Sequence, residues 1–79
     1  MNLSVEITEF RDEDGNPCEV DLYLDSDGLE YIMQCLKNAL REPGDHVHLM
    51  TPSWGMEDLA EKPSNPNNST MHHLRVTLT

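Results

Sequence analysis

Residues 18–40 read CEVDLYLDSDGLEYIMQCLKNAL, and this stretch decides the fold because its apolar period changes in the middle. Up to Leu24 every second residue is apolar, which is typical of a strand with one buried face. Beyond Leu24 the apolar residues follow helical i, i+3, i+4 spacing, at Leu29, Ile32, Met33, Leu36 and Leu40. Asp25 or Ser26 can cap this helix, and Pro43-Gly44 ends it. The pattern therefore predicts a strand followed directly by an amphipathic helix.

Alternating apolar runs predict three further strands, one before this unit and two after it. One run covers residues 3–7 and is followed by a turn at 11–17, so the first two strands are expected to form a hairpin. Two more runs occupy residues 46–50 and about 72–78. The order ββαββ predicts one α+β domain over residues 1–79 with two layers. These are a four-stranded, mainly antiparallel sheet and one helix on its apolar face.

The segment 51–70 is too long for an ordinary hairpin loop, and such loops are usually functional or disordered. Its second half, 63–70, is rich in Pro, Asn and Ser and is expected to be mobile. Its first half carries Trp54, the only tryptophan of the chain. Two roles for Trp54 stay open: an anchor that closes one end of a small core, or a contact with a partner protein.

Composition narrows the classes of function. The chain has 79 residues and a formal net charge of -10, which repels nucleic acid and anionic membranes and attracts basic proteins. A chain this short seldom encloses a substrate cavity, and it has no nucleophile motif or phosphate-binding loop. Without a signal peptide or an apolar stretch of about 20 residues, the expected location is the cytoplasm, with Cys18 and Cys35 reduced. We therefore expect a binding protein rather than an enzyme, and no cofactor.

One helix can cover only one face of the predicted sheet, so the polar face is expected to be uncovered. The register places on that face Glu6, Thr8, Glu19, Asp21, Tyr23, His46, His48, His73 and Arg75. With Trp54, all of these except Thr8 are the candidate partner-binding residues. A simple solvated face is the plainer alternative. A second alternative is a zinc or nickel site formed by His46, His48 and His73, although no metal-binding motif is present.

Two runs of sequence resemble a known family. These are HVHLMTPSWG at residues 46–55 and HHLRV at residues 72–76, preceded by the similar helix start DGLEY at residues 27–31. Together they are similar to the immunity protein thirty-two family of bacterial polymorphic-toxin systems. Met56 departs from the family pattern, in which a second glycine is expected.

The resemblance implies a cytoplasmic antitoxin that binds one cognate protein toxin and occludes its active site. A nuclease with a basic cleft is one candidate toxin, because an acidic protein could imitate its nucleic-acid substrate. Two other functions stay open, a small histidine-rich metal-binding protein and a structural accessory domain. An unpaired edge strand permits either a monomer or a weak homodimer.

Overall fold

The computed structural model describes all residues from 1 to 79 and contains one helix and five strands. In chain order the elements are β1 (Leu3–Ile7), β2 (Val20–Leu24), α1 (Ser26–Ala39), β3 (His46–Met50), a single 3₁₀ turn (Pro52–Trp54), β4 (Ser69–Thr70) and β5 (His73–Thr77). The α+β class is confirmed. The four predicted strands are all present, and β4 is an addition inside the segment that was predicted to be mobile.

The strands form two sheets rather than the single four-stranded sheet that was predicted. One sheet has the order β2-β1-β4, the other pairs β3 with β5, and every pairing is antiparallel. The physical reason lies in the chain from residue 69 to residue 77. Ser69 and Thr70 pair with β1, and the chain then steps across to pair with β3 from His73 onward. One extended segment therefore serves two sheets in turn.

Backbone hydrogen bonds outside the strands extend both sheets. Met71 N donates to Val5 O at 2.7 Å, and Thr51 N donates to His72 O at 3.0 Å. Ala60 N donates to Leu3 O at 2.8 Å, so the long segment also lies along the β4 side of β1. Leu3 and Val5 of the first sheet and Leu49 of the second belong to one buried core, so the two sheets share an interior.

The start of the helix is tied to the start of β1 by one carboxylate. Asp25 caps the helix by accepting from Gly28 N at 2.7 Å, and its second oxygen accepts from Asn2 N at 2.8 Å. The approach is so close that a Cβ added at Gly28 would lie 2.0 Å from Asn2 O. Glycine is therefore required at residue 28 by space and not by backbone conformation.

The core is small and takes one member from the long segment. Its five buried apolar residues are Leu3, Val5, Ile32, Leu49 and Leu59. The predicted helical stripe is only half used: Ile32 is buried and Leu36 packs against the core, while Leu29 and Met33 are exposed. On β2 only Leu24 packs against the core, and Val20 and Leu22 are exposed. The apolar side of β1 is therefore buried, whereas most of the apolar side of β2 is exposed.

A buried carboxylate fixes the first half of the long segment. Asp58 accepts hydrogen bonds from the Tyr31 hydroxyl on α1 and from Met50 N, and its own N–H donates to Met50 O at 3.2 Å. The hydrogen bond to this carboxylate, followed by burial and by its negative charge, raises the pKa of Tyr31 above its usual value. Leu59 enters the core directly beside this contact.

Substituting Gly28→Ala is expected to destabilise the protein even though alanine is the better helix former. The new methyl group must displace the backbone of Asn2, and forced overpacking of this kind costs about 1–3 kcal/mol. Urea denaturation should show that loss in the free energy of unfolding. Asn38→Ala, at an exposed position near the end of the same helix, is the matched control and should be neutral or slightly stabilising. An unchanged or increased stability of the Gly28 variant would contradict the close approach.

Candidate functional site

Glu6 was predicted to lie on an open face of the sheet. In the structure it is buried, with a side chain that is 0% exposed. Residues 63–70 fold over the polar side of β1 and direct donors at its carboxylate. Ser64 N donates at 2.8 Å, Asn68 Nδ2 at 3.0 Å and Asn65 N at 3.3 Å. Ser4 Oγ, two residues along the same strand face, also donates to it. Glu6 is thus an internal fastener for the loop and is removed from the set of surface contacts.

The electrostatics of Glu6 follow from these contacts. Burial raises the pKa of its carboxyl, but the hydrogen bonds from Ser4, Ser64, Asn68 and Asn65 stabilise the ionised form more strongly. The net result is a pKa below the usual 4.5. Thr8, predicted on the same open face, is also buried.

The predicted polar face is therefore divided into two surfaces by residues 63–70. The first surface lies on β2 and on Glu19, the residue that precedes this strand. Glu19 is exposed, and Asp21 and Tyr23 are half-buried. The Tyr23 hydroxyl contacts Asp21 Oδ2 at 3.4 Å. Asp21 is also the register partner of Glu6 across the β1–β2 pair, so it lies at the rim of the covered carboxylate.

The second surface lies on β3 and β5 and consists mainly of rings. The strand register sets His48 opposite Arg75 and Met50 opposite His73. His48 Nδ1 and His73 Nε2 are 2.7 Å apart in a hydrogen bond, and their rings stack with centroids 5.0 Å apart. His46 meets the His48 ring edge-on, also at a centroid distance of 5.0 Å. The prediction that His46, His48 and His73 share one face is confirmed.

Trp54 completes this surface from the long segment. The 3₁₀ turn Pro52–Trp54 ends at Gly55, whose φ of 101° suits glycine, and Trp54 N donates to Thr51 O at 2.9 Å. The indole stacks on the His72 ring at 6.0 Å and on the His73 ring at 5.9 Å, yet Trp54 is 55% exposed. We call His46, His48, Trp54, His72 and His73 the aromatic cluster. Within this cluster Trp54 packs on two histidine rings with one side and exposes the other side to solvent.

Two residues that support Trp54 were not among the predicted site residues. His72 Nδ1 is 2.7 Å from Oγ1 of the buried Thr51, which holds the imidazole flat beneath the indole. Glu61 accepts from Ser53 N and lies 4.0 Å from His72 Nδ1. No local sequence pattern indicates that a loop residue will stack on His72.

The alternative metal site is not supported by the geometry. Although His46, His48 and His73 are adjacent, no group of three or more His, Cys, Asp or Glu side chains is arranged to hold a metal ion. The reason is visible in the ring positions. His48 Nδ1 and His73 Nε2 bond to each other instead of converging on a common point. Cys18 and Cys35 are free thiols.

The cluster alters the titration of His48. Desolvation is the largest cause, followed by the nearby charges of His46, His73 and Arg75, and together they lower the pKa of His48 below 6.5. The cluster therefore favours a neutral imidazole at this position. A neutral His48 can share one proton with His73 in their hydrogen bond.

Comparisons with known proteins add no relative. No protein-family model, no curated protein and no solved structure matches this chain. The resemblance to the immunity family accordingly depends on the quoted sequence runs alone. The protein surface contains no pocket. The single helix has 14 residues and is neither long nor apolar enough to cross a bilayer.

Substituting Glu6→Gln is expected to lower the free energy of unfolding by about 2–3 kcal/mol near neutral pH, since hydrogen bonds to a buried charged group are lost and an amide donor faces other donors. In the wild type, the stability from Glu6 is fully present above pH 4.5 and is lost as the pH falls through its lowered pKa. The variant should therefore lose less stability on acidification. Urea denaturation at about pH 7 and about pH 3 checks both effects. Glu9→Gln, an exposed carboxyl nearby, is the control, and equal losses in the two variants would contradict the role of Glu6.

The histidine pair predicts a second pH window above that of Glu6. Because the folded-state pKa of His48 is lowered, its contribution to stability is present above pH 6.5 and decreases as the pH falls from there. The melting temperature should be lower at about pH 5.5 than at about pH 7.5. His48→Gln should show a smaller decrease over the same interval. Identical decreases for the wild type and the variant would show that His48 does not titrate as inferred.

Proposed function

We propose that this chain is a binding protein that neutralises a cognate bacterial toxin by covering its active site. The observation that carries the proposal is the state of Trp54, which is 55% exposed although two imidazole rings hold it in place. An exposed indole that is already ordered loses little conformational freedom on binding, and tryptophan is enriched at interface hot spots. The anchor role and the partner-contact role, left open by the sequence, are compatible in this geometry.

The surroundings of Trp54 suit a protein surface. The aromatic cluster and Arg75 form a polar, ring-rich patch on the outer side of the β3–β5 sheet. Arg, Tyr and Trp are the residues that most often dominate binding energy at protein interfaces. The proposed contact therefore centres on Trp54 and includes His46, His48, His73 and Arg75.

Charge supplies the second support. The formal net charge of -10 accelerates encounter with a basic protein, and a nuclease toxin with a positive cleft would fit that requirement. Among the carboxylates first assigned to the contact, Glu19 and Asp21 are accessible and Glu6 is not. The resemblance to the immunity protein thirty-two family supports the same class of function.

The test begins with the product of the gene beside the one that encodes this chain. Co-expression of the two proteins should restore growth if that product is toxic, and the purified proteins should form a one-to-one complex. Binding that fails in both assays, with a neighbouring protein shown to be toxic, would contradict the proposal.

Within that complex, Trp54→Ala is expected to raise the dissociation constant at least about thirtyfold, which is the loss of affinity typical of a hot-spot residue. The folded chain should otherwise persist, because Trp54 is outside the buried core. Met56→Ala removes another exposed apolar side chain two residues away and is the matched control. Isothermal calorimetry measures both variants, and equal affinities for Trp54→Ala and the wild type would place the contact elsewhere.

A further inference from the structure

The free edge of β2 is a surface separate from the aromatic cluster. β2 is the terminal strand of its sheet and pairs only with β1. Thr8 N donates to Glu19 O, and the register pairs Glu6 with Asp21 and Ser4 with Tyr23. Since backbone groups alternate in direction along an antiparallel strand, the N–H and C=O groups of Val20 and Leu22 point away from β1. They form an unpaired row at the edge of the sheet.

Apolar side chains lie above this edge. By register, Val20 and Leu22 share the sheet face of Ile7 and Val5, the face on which the helix packs. Despite this, Val20 is 62% exposed and Leu22 is 47% exposed. On the helix, Leu29 and Met33 are exposed by 46% and 49%.

The helix residues lie on the β2 flank of α1. Each helical residue turns by about 100°, so Leu29 and Met33 point to the flank opposite Tyr31, which is two residues from each. Tyr31 donates to Asp58, which is hydrogen-bonded to Met50 of β3. That is the flank away from β2, because the segment after Asp58 reaches β1 on its β4 side. Val20, Leu22, Leu29 and Met33 therefore form one exposed apolar strip along the β2 edge.

The opposite side of the same edge is acidic. Glu19 and Asp21 alternate with Val20 and Leu22, so their carboxylates lie on the other face of β2. A strand added at this edge would set every second side chain on the apolar strip and the others beside the carboxylates. A second copy of the chain fits poorly, because antiparallel pairing of two β2 strands would set Glu19 opposite Asp21 of the other copy, or Asp21 opposite its own counterpart. Like charges opposed in this way are destabilising, and each copy carries a net charge of -10.

We infer that the β2 edge takes up an extended segment of a basic protein, one that alternates apolar and Lys or Arg side chains, as an additional strand of the β2-β1-β4 sheet. Main-chain hydrogen bonds to Val20 and Leu22 provide attachment, and the apolar strip and the carboxylates select the sequence. The inference uses the backbone edge and the apolar strip of β2, which the contact centred on Trp54 does not use. It shares with the proposed toxin contact only the carboxylates of Glu19 and Asp21, and it stands whether or not the partner of Trp54 is a toxin.

The probe is the synthetic peptide Lys-Val-Lys-Leu-Lys-Val-Lys, added to the full chain. Amide hydrogen exchange should become slower at Val20 and Leu22, by about tenfold or more at saturation, because their N–H groups gain acceptors. A peptide of the same composition with its lysines in one block should give no such protection. If both peptides protect these amides equally, or if the alternating peptide binds without protecting them, the inference is wrong.

Matched variants separate main-chain pairing from charge attraction. Val20→Pro removes an outward N–H that the fold does not use, so peptide binding should weaken about tenfold, whereas Val20→Thr keeps the donor and should stay within about threefold of the wild type. Neutralising Glu19→Gln with Asp21→Asn should weaken binding and reduce its salt dependence.

Circular dichroism verifies that each variant is folded. If Val20→Pro is unfolded, a peptide that is N-methylated on the side facing β2 tests the same main-chain hydrogen bonds. Undiminished binding of the N-methylated peptide would overturn the inference. Sedimentation of the chain alone examines the competing occupant. We expect a monomer, and a dimer abolished by Val20→Pro would assign the edge to a second copy and overturn the inference.

Discussion

The carboxylate of Glu6 is the constraint on which the arrangement of the long segment depends. A charge buried at 0% exposure must be compensated by donors, and two of those donors are backbone N–H groups that exist in the right place only when residues 63–70 lie across β1. Asp58 acts in the same way at the other half of the segment through Tyr31. Between these two carboxylates the segment contributes Leu59 to the core, so it is a structural layer of the domain.

This layer also determines what the outside of the protein offers. By covering the polar side of β1, residues 63–70 leave an acidic surface at β2 and a ring-rich surface at β3 and β5. The two differ in chemistry, since one presents carboxylates and the other presents imidazoles and an indole. The electrostatics of the two faces are therefore expected to respond differently to salt and to pH.

The helix and most strands were predictable from the sequence, whereas the packing of the long segment over them was not. Periods of two and of 3.6 located α1, β1, β2, β3 and β5, because each of these has one apolar side. Alternation also placed His48 and His73 on one face. It assigned Glu6 to a side of its strand but could not tell whether another segment would cover that side. The burial of Glu6, the short strand β4 and the stacking of Trp54 on His72 arise from contacts between residues distant in sequence, which local patterns do not encode. The pairing of Ser4 with Glu6 two residues apart was the one available local signal.

The crossing of residues 69–77 from one sheet to the other has a consequence for the order of folding. β1 obtains its second neighbour only from β4, and β3 obtains its only neighbour from β5. Neither sheet can therefore be completed before this stretch has paired with β1 on one side and with β3 on the other. Both pairings join residues that are far apart in sequence, and contacts of long sequence separation slow folding.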